Sequence, residues 1–370
     1  MKFTCEKALL VSAISVASRT VAQKSAITAL EGILVRAGTR VMLTGFNLET
    51  GITVGLSADV TEEGECIMPA RLFFDIIRKL PDDIVSVSVD EKMAVSIRGG
   101  ISSFSISATP ADDYPDLPDV ESEKGIGIPQ RELREMISGT IFSASENMAR
   151  PIHTGCLFEI CNESVTVVAV DGYRLALRRW FAEESLERTL KFVAPAAALK
   201  EVEKILGDTD DRAQIYVGTK HILFTIGDAT LVCRVLEGDF LDWRRVLPQD
   251  NPIRLAANVA RITDSIERVG LIISEKIKSP VRCTFGENTA DFRTVSTIGA
   301  AHDVCPIAGD GKDLEIGFNC RYLLDALRAV PTEEVSLELI NGLSPIVLNP
   351  CDGSGKFSYM VLPVRLKAGE

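Results

Sequence analysis

The spacing of apolar residues predicts six amphipathic helices that occur in pairs. Three segments place apolar residues at i, i+3 and i+4: CEKALLVSAISVASRT, PQRELREMISGTIFSA and VARITDSIERVGLII. This spacing is typical of a helix with one buried face. A second helical pattern follows each segment and closes at Leu80, Leu206 and Val330. The pattern therefore predicts two helices in each third of the chain.

Short strand-like runs occupy the sequence between the helices. They are rich in Val, Ile, Thr and Phe and include RVMLTGFNLETGITVGLSA, CLFEICNESVTVVAVDGYRLALRRW and RCTFGENTADFRTVSTIGAA. Residues of these types favour β-strands, and the turn residues between the runs favour antiparallel hairpins. The predicted fold class is α+β, with three repeated domains that each have an antiparallel sheet covered by two helices.

The repeat has a regular period. Leu80 and Leu206 lie 126 positions apart, and Leu206 and Val330 lie 124 apart. Such a period agrees with domains of roughly 100–200 residues. The segments ESEKGIG and LPQDNP interrupt the periodic pattern with glycine, proline and charge, as linkers do. We therefore predict three domains, at 1–122, 126–249 and 250–370.

Composition narrows the class of protein. The net charge is −12, so any contact with DNA has to be local, because affinity for DNA comes chiefly from basic groups that meet phosphates. No apolar run approaches the length of a membrane span, and charged residues interrupt the N-terminal apolar stretch, unlike a signal peptide. Nine scattered cysteines without a C-x-x-C pair indicate reduced thiols, no zinc and a cytoplasmic location.

No motif nominates a catalytic, metal or cofactor site. The loops GDGKD and DGSGKF lack the spacing of a phosphate-binding loop. Paired aspartates occur in turn contexts, where Asp caps backbone amides: Asp112–Asp113 and Asp210–Asp211. The histidines lack catalytic or ligand spacing and are predicted to be surface or loop residues: His153, His221 and His302. We therefore expect a protein that is not an enzyme.

Four motifs together carry a family resemblance. They are PARLFFDIIRKLP in the first repeat, VAVDGYRLA (Val168–Ala176), GDFLDWRRVLP (Gly238–Pro248) and YMVLPVRL (Tyr359–Leu366). In this combination the chain resembles the bacterial sliding clamps, the beta subunits of DNA polymerase III holoenzyme. The resemblance covers the whole chain to within four residues of its end.

The resemblance implies a ring-shaped processivity factor without a cofactor. Two chains would join head to tail into a ring of six domains, whose helices surround duplex DNA and whose sheets form the outer wall. An ATP-using loader would open the ring. The implied partners are double-stranded DNA, a second copy of the chain, the alpha subunit of DNA polymerase III, the delta subunit of the clamp loader, and other polymerases and repair proteins that carry a clamp-binding peptide. No membrane partner is expected.

The candidates for DNA contact are basic residues on the predicted helices and in two loops. They are Lys24, Arg71, Arg78, Lys79, Arg131, Arg134, Arg150, Lys200, Lys204 and Arg321. Further basic residues on the six predicted helices are Lys7, Arg19, Arg261, Arg268 and Arg328. Around Lys24 the chain reads KSAITAL, where relatives usually have an arginine and a proline-containing segment. Pro151 and Ile152 follow Arg150, where relatives carry tyrosines, so a phosphate contact is expected there without base stacking.

The resemblance also places a peptide-binding cleft and a dimer interface. The cleft residues would be His153, Thr154, Val170, Gly172, Tyr173, Arg174, Leu175, Leu241, Arg245, Val246, Met360, Val361, Leu362, Pro363, Val364 and Arg365. Such a groove suits a short motif of leucine or phenylalanine anchors plus a polar residue. The dimer would close through Phe104 and Ile106 of one chain against Leu271 and Ile272 of the other.

Two other functional classes stay open at this point. The first is a repeat-built scaffold that binds peptides without DNA, since the cleft motifs are more specific than the basic helices. Retention on nicked circular DNA would separate it from a clamp. The second is a hydrolase with an unrecognised site, which would require turnover that a carboxylate or cysteine substitution abolishes.

Overall fold

The computed structural model describes residues 1–120, 124–186, 189–273 and 279–366. Two compact units divide the chain. The first unit comprises 1–134 and 197–235, and the second comprises 135–196 and 236–370. The middle third of the sequence therefore contributes to both units.

The helices agree with the apolar spacing. The described ranges contain six of them, two in each third of the chain: α1 (Lys7–Ala17), α2 (Ala70–Lys79), α3 (Gln130–Ile141), α4 (Ala196–Ile205), α5 (Val259–Gly270) and α6 (Cys320–Arg328). Asn258 and Asn319 cap α5 and α6 by accepting backbone N–H bonds from Arg261 and Tyr322. The prediction of two helices in each repeat is confirmed.

Two antiparallel sheets belong to the first unit. The five-stranded sheet has the order β5-β1-β7-β8-β9 and consists of β1 (Lys2–Glu6), β5 (Asp59–Glu62), β7 (Ile84–Val89), β8 (Ala94–Gly99) and β9 (Ser102–Ser107). The eight-stranded sheet has the order β10-β15-β16-β17-β4-β3-β2-β6 and consists of β2 (Gly32–Ala37), β3 (Val41–Phe46), β4 (Thr50–Leu56), β6 (Gly64–Pro69), β10 (Ile126–Pro129), β15 (Arg212–Val217), β16 (His221–Ile226) and β17 (Ala229–Arg234).

The second unit contains one ten-stranded sheet. Its order is β14-β11-β12-β13-β23-β22-β21-β18-β20-β19. The strands are β11 (Gly155–Cys161), β12 (Ser164–Val170), β13 (Arg174–Phe181), β14 (Leu190–Pro195), β18 (Ile253–Asn258), β19 (Val281–Ser296), β20 (Gly299–Phe318), β21 (Glu334–Leu339), β22 (Ile346–Pro350) and β23 (Phe357–Val361). The fold class is α+β with antiparallel sheets, as the sequence predicts.

Strands of successive repeats pair with one another. In the first unit β4 pairs with β17, and in the second unit β13 pairs with β23 through Leu175 opposite Met360. The strand pattern predicts a separate sheet for each repeat, and this continuity between repeats was not predicted. Pairing two edge strands satisfies backbone groups that would otherwise be exposed templates for aggregation.

Two local expectations were wrong. The first helix begins at Lys7 and not at Cys5, because Cys5 and Glu6 belong to β1 and pair with β7. Part of the linker ESEKGIG lies outside the described residues, and Ile126 in it begins β10, which pairs with β15. In both cases the pairing partner is distant in sequence, so local composition could not reveal it. His302 is an exposed residue of β20, and His221 is a half-buried residue of β16.

Candidate functional site

A tight turn in the VAVDGYRLA motif arranges the first set of candidate residues. Gly172 adopts a φ of 93°, a left-handed conformation that glycine adopts without steric cost. The Asp171 carboxylate accepts backbone N–H bonds from Tyr173 and Arg174. The turn exposes the Tyr173 ring and directs Arg174 inward, where the arginine is buried.

Carboxylates and aromatic rings hold the buried Arg174 side chain. Its Nε donates to Asp171 at 3.0 Å and one terminal nitrogen donates to Asp325 at 2.6 Å. The guanidinium carbon lies 4.4 Å from the ring centre of Tyr322 and 5.5 Å from that of Phe142. Because both carboxylates neutralise it, Arg174 organises the turn and is not a free charge for a ligand.

We expect Asp325→Asn to lower the stability of the second unit by about 1–3 kcal/mol, because it removes one of two charges that compensate a buried guanidinium. The Arg174 side chain is 8% exposed. Urea unfolding measured by circular dichroism tests this. Arg245→Ala is the matched control, since the ion pair of Arg245 with Asp242 is exposed and exposed pairs contribute little. Equal unfolding midpoints for both variants would contradict the assignment.

An apolar cluster brings three of the sequence motifs together. It contains the buried residues Leu157, Val168, Val170, Leu175, Leu177, Val193, Trp243, Val347 and Met360, with Ile152, Leu236, Phe240, Val246, Leu247 and Leu362 packed against it and partly exposed. We call this set the apolar cluster. Motifs that are distant in sequence thus converge on one surface of the second unit.

The chain after β23 forms the rim of the apolar cluster. The backbone N–H of Leu362 donates to the Tyr173 carbonyl at 2.9 Å, and that of Val364 donates to Gly317 at 2.8 Å. Leu362 and Pro363 are half-buried, whereas Val364 and Arg365 are exposed. These two bonds fix an otherwise irregular segment against the Tyr173 turn.

Several predicted cleft residues have other surroundings. Val361 packs into the core on the opposite side of its strand, because Met360 and Val361 alternate between faces. Leu241 and Arg245 lie in the right segment, but both are exposed and neither belongs to the apolar cluster. The Thr154 hydroxyl donates to the Pro151 carbonyl.

Three aromatic residues of this surface were not predicted from the sequence. Trp243 is buried and donates from Nε1 to Glu159 at 3.1 Å, and Phe240 packs on the apolar cluster. Tyr322 stacks on Tyr173 with ring centres 6.0 Å apart. Phe240 and Trp243 lie within the GDFLDWRRVLP motif, so their large aromatic side chains could have identified them as site residues from the sequence. Tyr322 comes from α6, and no local pattern connects it to the turn.

Glu159 anchors the segment that carries Trp243. Burial opposes its ionisation, but hydrogen bonds from Arg244 and Trp243 outweigh this effect and lower the pKa of the carboxyl group. The Arg244 guanidinium lies 4.1 Å from the centre of the Trp243 ring. These charged groups hold the tryptophan in place within the apolar cluster.

The candidate DNA-contacting residues fall into two groups. All ten are exposed. Four form ion pairs: Arg78 with Asp75, Arg131 with Asp208 and Asp210, Lys204 with Glu201, and Arg321 with Asp325. The other six form no ion pair within the ranges the structure describes: Lys24, Arg71, Lys79, Arg134, Arg150 and Lys200. The second group keeps its full charge for a ligand.

The candidate dimer residues include exposed apolar side chains. Phe104 and Ile106 lie on β9, an edge strand of the five-stranded sheet. Leu271 follows α5 and is 82% exposed, and Ile272 is half-buried. Large exposed apolar side chains next to an unpaired strand edge are typical of an interface.

The described residues contain neither a metal-binding cluster nor a helix that could span a membrane. No group of three or more His, Cys, Asp or Glu side chains is placed to hold a metal ion among the described residues. No helix in those residues is long and apolar enough to cross a bilayer. All nine cysteines are free.

Three family models match consecutive parts of the sequence. The N-terminal domain of the DNA polymerase III beta subunit matches residues 1–118, the central domain matches 127–242 and the C-terminal domain matches 244–365. The chain belongs to the DNA polymerase III beta subunit family. The family resemblance stated from the four motifs is confirmed.

Individual members of the beta subunit family match over nearly their entire length. A beta sliding clamp of Staphylococcus epidermidis is 29% identical over 381 aligned residues, 99% of each chain. A structure from Eubacterium rectale, assigned to the beta subunit of DNA polymerase III, is 32% identical with a TM-score of 0.93. The DNA polymerase sliding clamp of Bacillus subtilis is 27% identical with the same TM-score. In both comparisons the alignment covers 99% of this chain and 100% of the other chain.

Proposed function

We propose that this chain is a sliding clamp, a processivity factor that encircles duplex DNA and tethers a replicative polymerase to it. The observation that carries the proposal is the match to clamp structures over the full length in fold and in all three family domains. Two copies would join head to tail into a ring of six domains. The domain limits we propose are 1–122, 126–249 and 250–370. The role is mechanical, so we propose no catalytic residue and no cofactor.

The unpaired basic residues are the strongest candidates for DNA contact. The six residues of that group are exposed and carry charge that no carboxylate neutralises in the described ranges. Contacts to phosphates carry no sequence information, so a ring held by them can move along DNA. The overall charge of −12 would repel DNA elsewhere on the surface. We propose a smaller contribution from Arg78, Arg131, Lys204 and Arg321, which already have acidic partners.

We expect replacement of Lys24, Arg71, Lys79 and Lys200 by alanine to reduce the salt dependence of DNA binding. The slope of log K against log salt is negative, and each lost phosphate contact reduces its magnitude by about 0.9. Fluorescence anisotropy on duplex DNA at several salt concentrations measures the slope. Replacing the paired residues Arg78, Arg131, Lys204 and Arg321 is the control, with a smaller expected change. Equal slopes for the two sets would show that the ion pairs do not separate contacting from non-contacting residues.

The apolar cluster is the proposed site for partner peptides. Its partly exposed members, such as Val246 and Leu362, offer apolar surface to a ligand. Large apolar anchors that enter such a surface supply most of the binding energy of a short peptide. The proposed partners are the alpha subunit of DNA polymerase III, the delta subunit of the clamp loader, and other polymerases and repair proteins with a clamp-binding peptide. These partners act in the cytoplasm, where we place the protein.

Topological retention on DNA tests the proposed function. The protein would be loaded onto nicked circular plasmid with a clamp loader, and the DNA would then be cut once. A clamp stays on the circle and leaves the linear DNA through its ends. A protein that loads but stays bound after cutting holds DNA by direct affinity. A dimeric protein that binds peptides but fails to load with a compatible loader would be a peptide-binding scaffold.

A further inference from the structure

The turn between β21 and β22 contains an asparagine followed by a glycine. Asn341 is exposed, and Gly342 and Leu343 form the tip of the turn. The Asn341 Oδ1 atom accepts the backbone N–H of Leu343 at 2.9 Å, and the Asn341 carbonyl accepts that of Ser344 at 3.3 Å. Asparagine is favoured at the first position of a turn because its side chain can accept such a bond. The side-chain amide of Asn341 is therefore open to water and folded back over the backbone of Gly342.

Several features of this turn favour attack of the Gly342 backbone nitrogen on the side-chain amide of Asn341. Within the ranges that the structure describes, the Gly342 N–H donates no hydrogen bond and the Asn341 Nδ2 nitrogen has no partner. The attacking nitrogen can therefore lose its proton to solvent, and the amide nitrogen can leave as ammonia. The bond from Leu343 polarises the side-chain carbonyl and makes its carbon more electrophilic. Glycine has no Cβ, so its nitrogen approaches that carbon without steric hindrance.

The packing of the turn explains why a glycine occupies this position. Gly342 is half-buried, and a Cβ there would lie 2.6 Å from the carbonyl oxygen of Glu315 in β20. Any larger residue would therefore have to displace the backbone of a neighbouring strand. A side chain at this position would also hinder attack on Asn341. The close contact with β20 thus keeps the residue that leaves Asn341 unprotected.

We propose that Asn341 is a site of spontaneous deamidation, a covalent modification that consumes one water molecule and releases ammonia without an enzyme. The Gly342 nitrogen forms a bond to Cγ of Asn341 and gives up its proton. The Cγ–Nδ2 bond breaks, and the departing amide group takes up a proton and leaves as ammonia. Water then opens the resulting succinimide ring. Cleavage of the new bond to Cγ gives aspartate, whereas cleavage of the original main-chain bond gives isoaspartate.

Deamidation would change both the charge and the backbone of this turn. Either product adds a negative charge to a chain whose net charge is already −12. Isoaspartate also inserts a methylene group into the main chain, so the bond from the Ser344 N–H to the carbonyl of residue 341 cannot keep its geometry. The turn leads into β22, which carries Val347 of the apolar cluster. The modification therefore records the age of the protein, and its chemistry does not depend on the function proposed above.

Two other asparagines are matched controls within the same chain. Asn47 and Asn147 are exposed, and each accepts with Oδ1 the backbone N–H of the residue two positions later, at 3.0 Å in both cases. They share the side-chain arrangement of Asn341. The residues that follow them are Leu48 and Met148 and not glycine. The three sites therefore test the effect of the residue that carries the attacking nitrogen.

Mass spectrometry of peptides from the incubated full chain tests the proposal. The folded protein would be kept at physiological temperature, and the converted fraction at each asparagine would be measured over time. We expect conversion at Asn341 to exceed that at Asn47 and Asn147 by roughly tenfold or more, because a side chain on the attacking residue displaces its nitrogen from the attack geometry. The rate should be higher at mildly alkaline than at mildly acidic pH, since base removes the proton of the Gly342 nitrogen.

Asn341→Gln is the matched variant, because it keeps an exposed amide and Gly342 but would require a six-membered ring. No conversion is expected at position 341 in this variant. Conversion at Asn341 that is no faster than at Asn47 and Asn147 would overturn the proposal. An equal converted fraction in fresh and incubated samples would assign the change to sample digestion and would overturn it as well. A fraction that grows with time at Asn341 alone, and grows faster at higher pH, supports it.

Discussion

Leu271→Asp is expected to convert the dimer into monomers and to abolish retention on circular DNA. Leu271 is 82% exposed in the single chain, so an aspartate there costs the monomer little. In the proposed interface it would face the apolar residues Phe104 and Ile106 of the other copy. Loss of a buried leucine costs about 1.5–3 kcal/mol, and an unpartnered buried carboxylate adds to that cost. The dimer should weaken by roughly a thousandfold or more.

Sedimentation velocity at micromolar concentration measures the oligomeric state, and the plasmid assay measures retention. Leu343→Asp is the matched control, because Leu343 is 80% exposed and lies in the turn before β22. This variant should sediment as a dimer. A Leu271→Asp chain that also remains a dimer would exclude Leu271 from the interface. A dimer that still fails to load would point to a defect in loading and not in ring closure.

The fold could be predicted where its determinants are local. The i, i+3, i+4 spacing gave the pair of helices in each repeat, and the buried face of α5, with Ile262, Ile266 and Val269, follows it. The pairing of β4 with β17 and of β13 with β23 could not be predicted in the same way. Strand pairing depends on partners that are more than a hundred residues apart, and many strands of similar composition could form the pair.

The residues of the candidate site could likewise be predicted only where local sequence determines them. Val170, Leu175 and Met360 could be named from their motifs, and the structure places them in one apolar cluster. Strand alternation already separates Met360 from Val361 and could have excluded Val361 from the surface. Tyr322 was not accessible to sequence reasoning, because only the packing of α6 against the Tyr173 turn makes it part of the site. Asp325, one of the two carboxylate partners of Arg174, could not be predicted for the same reason, since it is 151 positions away.

A double substitution, Val246→Ala with Leu362→Ala, is expected to weaken binding of a leucine- and phenylalanine-containing peptide by about a hundredfold. The two residues come from different motifs, and both pack on the apolar cluster while staying partly exposed. Anchor contacts of this kind dominate short-peptide affinity, and truncation of a central contact typically costs more than 1 kcal/mol. Two such losses approach the expected effect, because each tenfold change corresponds to about 1.4 kcal/mol.

Fluorescence anisotropy with a labelled peptide that carries leucine and phenylalanine anchors measures the affinity. Val295→Ala is the control, because Val295 is an exposed apolar residue near the tip of the β19–β20 hairpin and lies outside the apolar cluster. Its affinity should equal that of the unmodified chain. Since neither Val246 nor Leu362 is fully buried, the double variant should stay folded and dimeric. Undiminished peptide binding by a folded double variant would move the peptide site away from the apolar cluster.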